Sequence, residues 1–138
     1  SHPGGSLGRR LLTHVADVMR KGSDVPQVGP DAEFTALMRE MSSKGLGATA
    51  VTDAKGHVLG VFTDGDLRRL IEKGADLRSL NAHDVMHANP RTIRVDALAV
   101  EAAEMMEQSR ITSILVIDEA GCLCGALNTN DLMRAKVI

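Results

Sequence analysis

The chain runs through one pattern twice in 138 residues, and this duplication restricts its fold more than any other feature. Asp17-Val18-Met19 returns 67 positions later as Asp84-Val85-Met86. Asp53-Ala54-Lys55-Gly56-His57-Val58-Leu59-Gly60 returns 65 positions later as Asp118-Glu119-Ala120-Gly121-Cys122-Leu123-Cys124-Gly125. Asp66-Leu67 and Arg69 come back as Asp131-Leu132 and Arg134. The change of offset places two extra residues in the first copy, near Gly22 to Val25.

Each copy carries the same order of local signals. A short strand (Gln27-Val28; Thr92 to Val95) leads to an Asp, Asp31 or Asp96, suited to cap a helix. Phe34, Leu37, Met38 and Met41 then recur at helical spacing, as do Ala99, Ala102, Ala103 and Met106. Two apolar runs follow, Ala48–Thr52 with His57–Phe62 and Ser113–Ile117 with Cys122–Leu127. An Asp-x-x-Gly turn joins each pair, which is a hairpin signal. A second helix is predicted from about Thr63 and from about Asn128, the first of them stopped by Gly74. One copy thus reads β-α-β-β-α, with hairpin strands too apolar for either face to be wet. About 55 residues cannot bury that much alone. The predicted fold is therefore α/β, two β-α-β-β-α repeats packed sheet face to sheet face as an internal pseudo-two-fold dimer. The predicted division is 1–13 as a linker, 14–76 as repeat 1 and 77–138 as repeat 2.

Composition removes several function classes. Phe34 and Phe62 are the only aromatic residues, so stacking platforms for single-stranded nucleic acid are lacking. Net charge is −2, and no basic run offers a phosphate-backbone footprint. No apolar stretch nears the roughly 18 residues that span a bilayer, and no signal peptide is visible. Nucleic acid and membrane are therefore not expected partners. Cys122 and Cys124 lie two apart on a strand, where a disulfide would be strained. Reduced, partly buried thiols and a cytoplasmic location are the expectation. The seven Met residues (Met19, Met38, Met41, Met86, Met105, Met106 and Met133) read as interior gap-fillers in a core without aromatic bulk. His83 and His87 are four apart, but Pro90 limits any helix there and a third ligand is lacking, so no metal site is expected.

The junction between hairpin and second helix holds the chemistry. Thr63-x-x-Asp66 approximates a capping box, in which both side chains satisfy free backbone N–H groups. The same geometry can serve a ligand. A helix N-terminus favours phosphate, a Thr hydroxyl adds a donor, and a carboxylate accepts from a ribose diol. Asp64 adds a second acid beside Thr63, which Arg68 and Arg69 can offset; these two also fit a solvated helix face. In the second copy Asn128 stands in the Thr position, followed by Thr129 and Asp131.

Gly60-x-x-Thr63-x-x-Asp66 after the second hairpin strand, with this element order, resembles the CBS domain, over roughly residues 14 to 138. Gly60-Val61-Phe62-Thr63-Asp64-Gly65-Asp66-Leu67-Arg68-Arg69 and the opening from Ser1-His2-Pro3-Gly4-Gly5 to Leu12 resemble the C-terminal part of D-arabinose 5-phosphate isomerases. Those enzymes join a sugar-isomerase domain to a CBS pair. That resemblance implies a regulatory module with no catalytic residue of its own. His2 would act only with the rest of an isomerase domain that this sequence does not contain.

The resemblance further implies a nucleotide or nucleotide-sugar ligand between the repeats, an adenine nucleotide or CMP-Kdo, as feedback on Kdo (lipopolysaccharide or capsule) biosynthesis. No other cofactor is implied. The Thr of the motif is expected at phosphate and the Asp at ribose. Arg91, Thr92, Arg110, Ile111 and Thr112 resemble segments that hold a base and supply cations. The candidate ligand residues are therefore Thr63, Asp64, Asp66, Arg91, Thr92, Arg110, Ile111, Thr112, Asn128, Thr129 and Asp131, with a competent site built on either Asp66 or Asp131. The implied partners are the attached isomerase domain and a second CBS pair, giving a homodimer and, in a full-length enzyme, a tetramer. The alternative is a purely structural module that dimerises and stabilises such a tetramer without a ligand.

Overall fold

The computed structural model describes residues 6–138, so the expectation for His2 lies outside the described residues. Two sheets form, one per repeat. Strands β1 (Gln27–Val28), β2 (Ala48–Thr52) and β3 (Val58–Thr63) carry helices α3 (Phe34–Lys44) and α4 (Asp64–Glu72). Strands β5 (Thr92–Arg94), β6 (Ser113–Ile117) and β7 (Leu123–Asn128) carry α6 (Ala99–Ser109) and α7 (Thr129–Arg134). In both sheets the first strand runs parallel to the second and the hairpin is antiparallel. Each copy is thus the predicted β-α-β-β-α unit.

The hairpin turns follow from their Asp and Gly. Asp53 Oδ1 accepts from the Lys55 and His57 backbone N–H groups at 2.9 Å, and Gly56 takes the left-handed φ of +89° that closes the turn. Asp118 and Gly121 repeat this, with φ +84° at the glycine. The two turns meet, His57 bridging to Cys122 and Leu123 N–H donating to Gly56 O at 2.9 Å. Burial and the nearby Asp118 push the Cys124 thiol above its ordinary pKa, and both cysteines are free thiols.

Three apolar clusters stack through the molecule. Ala48, Ala50, Leu115 and Ala126 join the two sheets face to face, and small residues here let the backbones approach closely. On the outer faces, Phe34, Leu37, Met41 and Phe62 fill repeat 1, while Ile93, Ala99, Ala102, Met106, Ile114 and Leu132 fill repeat 2. The two aromatic rings meet edge to face, centroids 5.8 Å apart, an arrangement worth about 0.5–1.5 kcal/mol beyond its area.

The lead-in segments are exchanged between repeats. Helix α2 (Val15–Val18) precedes repeat 1, yet Val15 is buried in the repeat 2 core and Arg20 bridges to Ala126 of β7. Helix α5 (Ala82–Val85) and strand β4 (His87–Ala88) precede repeat 2, yet β4 adds to β3 of repeat 1 and Val85 packs on that core. The glycine of each Gly-x-x-[Thr/Asn]-x-x-Asp motif makes this crossing possible. A Cβ on Gly60 would sit 2.8 Å from the His87 carbonyl oxygen, and one on Gly125 would sit 2.9 Å from that of Arg20. The two residues added in the first copy fall in a short 3-10 turn, Gly22–Asp24.

Two local expectations are corrected. Asp31 and Asp96 do not cap: α3 and α6 begin two residues further on, behind Glu33 and Leu98, because a turn intervenes after each strand. At α6 it is the Glu101 carboxylate that accepts from the Leu98 N–H, at 3.2 Å. Met133 is exposed, since on the short α7 the neighbouring Leu132 takes the inward position. Arg68 and Arg69 are exposed on α4, as a solvated helix face requires, and they also border the cleft at its start.

Candidate ligand cleft

The capping boxes close as written in the sequence. Thr63 N–H donates to Asp66 Oδ2 at 3.0 Å, and Thr63 Oγ1 accepts from Asp66 N–H at 3.2 Å. The Thr63 hydroxyl proton also points at Asp66 Oδ2, 3.1 Å away. Arg69 binds the other carboxylate oxygen, Oδ1, at 2.7 Å. Asn128 and Asp131 form the matching box at α7 with both bonds at 3.0 Å. Capping and ligand binding are compatible at α4, because Asp66 Oδ1 holds one partner and has room for a second.

An open cleft of about 760 Å³ lies at the start of α4. That volume falls within the range of small-molecule sites. Its walls come from both repeats. Repeat 1 supplies Thr63, Asp64, Gly65, Asp66, Arg68 and Arg69 along the first turns of α4. The crossing lead-in supplies His87, Pro90 and Arg91, and the α6–β6 junction supplies Arg110, Ile111 and Thr112. Arg110 reaches its place because it ends α6 in the left-handed conformation, φ +55°.

Four guanidinium groups therefore face two carboxylates. Arg69 is paired with Asp66, while the side chains of Arg68, Arg91 and Arg110 make no ion pair or hydrogen bond among the described residues. Unpaired cations converging beside helix N–H donors form an anion-binding wall.

Of the eleven candidate residues, seven meet in this cleft: Thr63, Asp64, Asp66, Arg91, Arg110, Ile111 and Thr112. Thr92 is in β5, paired opposite Leu115, and does not line it. Asn128 and Thr129 line a neighbouring groove with Gly45, Gly47 and Thr112. Asp131 lines neither; its side chain is only 6% exposed and is covered by Arg20. Sequence reasoning passed over His87 as a wall residue. No local signal marks His87, which arrives only through the exchange of lead-ins. His83 remains on α5, away from this wall, and among the described residues no group of three or more His, Cys, Asp or Glu side chains could hold a metal ion.

Comparison with known proteins agrees with this architecture. The family model described as CBS domain matches twice, over residues 15–73 and 82–138. Over all 138 residues the chain is 46% identical to a protein of Pseudomonas aeruginosa named arabinose 5-phosphate isomerase KdsD. The chain spans 42% of the length of that relative. Among solved structures, an uncharacterized conserved protein from Pyrococcus horikoshii superposes with TM-score 0.79 at 27% identity, covering 91% of this chain and 92% of that one. A structure of CBSX2 in complex with AMP superposes with TM-score 0.75 at 23% identity, over 89% of this chain and 95% of that one.

Proposed function

This chain belongs to the CBS-domain family, and from that premise we propose that the cleft at Asp66 binds an anionic nucleotide or nucleotide-sugar and that binding regulates an isomerase domain joined to the chain. The observation that carries the reading is the accessible Asp66 carboxylate set opposite three unpaired arginines. A ribose diol can donate two hydroxyl protons, which suits the acceptor-only Asp66 carboxylate, while phosphate, as an anionic acceptor, goes to the arginines and the α4 N-terminus. Three free cations favour ligands carrying more than one anionic group: a nucleoside diphosphate, or a phosphodiester that also bears a carboxylate, such as CMP-Kdo. The AMP complex of CBSX2 supports the choice of a nucleotide, as an example of what this fold can hold.

The attached domain and its chemistry, the interconversion of ribulose 5-phosphate and arabinose 5-phosphate, rest on likeness to the KdsD relatives. In this reading the ligand touches α4 of repeat 1, the lead-in of repeat 2 and the α6–β6 junction at once. It thereby favours one relative pose of the repeats, which an attached domain can sense.

The test is calorimetric titration of the chain with AMP, ADP and CMP-Kdo, alongside the Asp66→Ala and Asp131→Ala variants. The expected result is binding that Asp66→Ala abolishes and Asp131→Ala retains. Silence to all three at millimolar concentration, or an Asp66→Ala variant that binds like wild type, would refute the proposal. A structural role is the second reading, favoured by the exposed Leu7, Leu11 and Leu12 on helix α1 (Ser6–Leu12) and by the exposed Ile138. Sedimentation decides it: a dimer lost on Leu11→Glu, with no ligand affinity in either protein, is its signature.

A further inference from the structure

Pseudo-two-fold symmetry calls for a second cleft at Asp131, and the chain has filled it with its own side chain. The offsets place Asn128 at the Thr63 position, Asp131 at Asp66 and Arg20 at His87. In the open cleft His87 forms part of the wall and makes no hydrogen bond to Asp66. At the second position Arg20 reaches across. Its Nε donates to Asp131 Oδ2 at 3.1 Å, one terminal nitrogen to Asp131 Oδ1 at 3.3 Å, and the other to the Lys44 carbonyl at 2.8 Å. The backbone of Arg20 is itself pinned to Ala126 by two hydrogen bonds of 2.8 and 3.1 Å. Arg134 covers Asp131 from the solvent side, and Asn128 Nδ2 donates to the Leu46 carbonyl at 3.3 Å.

The rest of the second cleft has also lost its anion wall. Arg68, Arg91 and Arg110 correspond to Met133, Pro26 and Gly45. The one guanidinium brought in from outside the repeat is spent on the carboxylate that a diol would need.

We infer that Arg20 is an internal occupant of a latent second ligand site, so that the chain takes one ligand per pair of repeats and opens a second, diol-binding site only when Arg20 is withdrawn. A bidentate guanidinium–carboxylate pair is a charge-assisted contact, and a neutral diol cannot displace it without leaving Arg20 unpaired. Arg20 follows directly on α2, whose Val15 is anchored in repeat 2. The latch therefore ties the segment ahead of the repeats to the second cleft. This inference rests on the nucleotide reading of the open cleft only for the choice of probe.

Two measurements test it, one of them without ligand. Carboxylates are labelled with carbodiimide and glycine ethyl ester and read by peptide mass spectrometry. Asp131 should be protected in wild type and label roughly tenfold faster in Arg20→Ala, the change that 1.4 kcal/mol of lost protection would bring. Asp118, whose carboxylate is held by the Ala120 and Cys122 N–H groups of its own turn, should label equally in both. Arg20→Met, which keeps the aliphatic stem without a hydrogen-bond donor, guards against a variant that fails to fold and should behave alike. Adenosine, which carries the diol without a phosphate, should by equilibrium dialysis fill one more site in Arg20→Ala than in wild type, and that extra site should vanish in Arg20→Ala with Asp131→Ala. Unchanged Asp131 labelling in both variants overturns the latch, as does an adenosine stoichiometry that is equal in wild type and Arg20→Ala. A wild type silent to ADP overturns the reading of the open cleft, and the labelling rates alone then decide the latch.

Discussion

Replacing Gly60 by Ala should damage stability and ligand binding together, because one backbone crossing serves both. A Cβ at this position would lie 2.5 Å from Met86 Sδ and 2.8 Å from the His87 carbonyl oxygen. The thioether can swing away, but the carbonyl belongs to β4, held to β3 through the Gly60–Ala88 and Val61–His87 pairs. Relief requires β4 to lift. Overpacking of this kind costs about 1–3 kcal/mol, and a weakened ladder hydrogen bond adds roughly 1 kcal/mol. A loss of about 2–4 kcal/mol should lower Tm by roughly 6–16 °C in a chain of this size. Gly74→Ala is the control. It meets nothing within 4 Å but has φ +69°, so its cost is only the left-handed strain of about 1–2 kcal/mol. The same lift carries His87, Pro90 and Arg91 out of the cleft wall, and ADP affinity should fall with it. Thermal unfolding by circular dichroism and calorimetric titration read the two effects. A Gly60→Ala protein no less stable than Gly74→Ala, binding ADP like wild type, would refute the crossing as the device that couples fold to site.

Other perturbations separate the two effects. Gly65→Ala places a methyl inside the cleft, where it meets the movable Arg69 guanidinium at 3.4 Å and Thr63 Oγ1 at an ordinary 3.7 Å, on a helix where Ala is preferred to Gly by up to about 1 kcal/mol. It should hold or raise Tm while lowering ADP affinity; unchanged affinity would place the phosphate elsewhere. Thr49 Oγ1 is buried without a hydrogen-bond partner, so Thr49→Val should stabilise the chain by about 1 kcal/mol, seen as a shift in urea midpoint at constant m-value. The His57 and Lys55 backbone N–H groups, with His57 itself close by, hold the Asp53 carboxyl below its ordinary pKa of 3.8. Its contribution is therefore present above that value and is lost as pH falls through the lower folded one. A carbon-detected titration should place the Asp53 midpoint below 3.8, with Leu123 amide exchange quickening only beneath it; a midpoint at or above 3.8 would contradict the turn geometry.

The duplication, the hairpins and the helix starts were legible in the sequence because each is local. An Asp-x-x-Gly turn, a Thr-x-x-Asp box and a 3.6-residue apolar stripe are decided by neighbours a few positions away. From these the β-α-β-β-α unit, the face-to-face packing and the Thr63, Asp64 and Asp66 corner of the cleft all follow. Near neighbours also misled at Asp31 and Asp96, where composition marks a cap but the length of the turn puts the helix start two residues later.

Which of two equivalent acids stays available was beyond the sequence, since Asp66 and Asp131 sit in near-identical local motifs. The exchange of lead-ins decides it, delivering a short imidazole at His87 to one cleft and a long bidentate guanidinium at Arg20 to the other. Arg20 and Asp131 are 111 residues apart in the chain and 3.1 Å apart in space. Periodicity and capping rules reach only a turn or two along the chain, so a contact of that span exists only once both repeats have closed on each other.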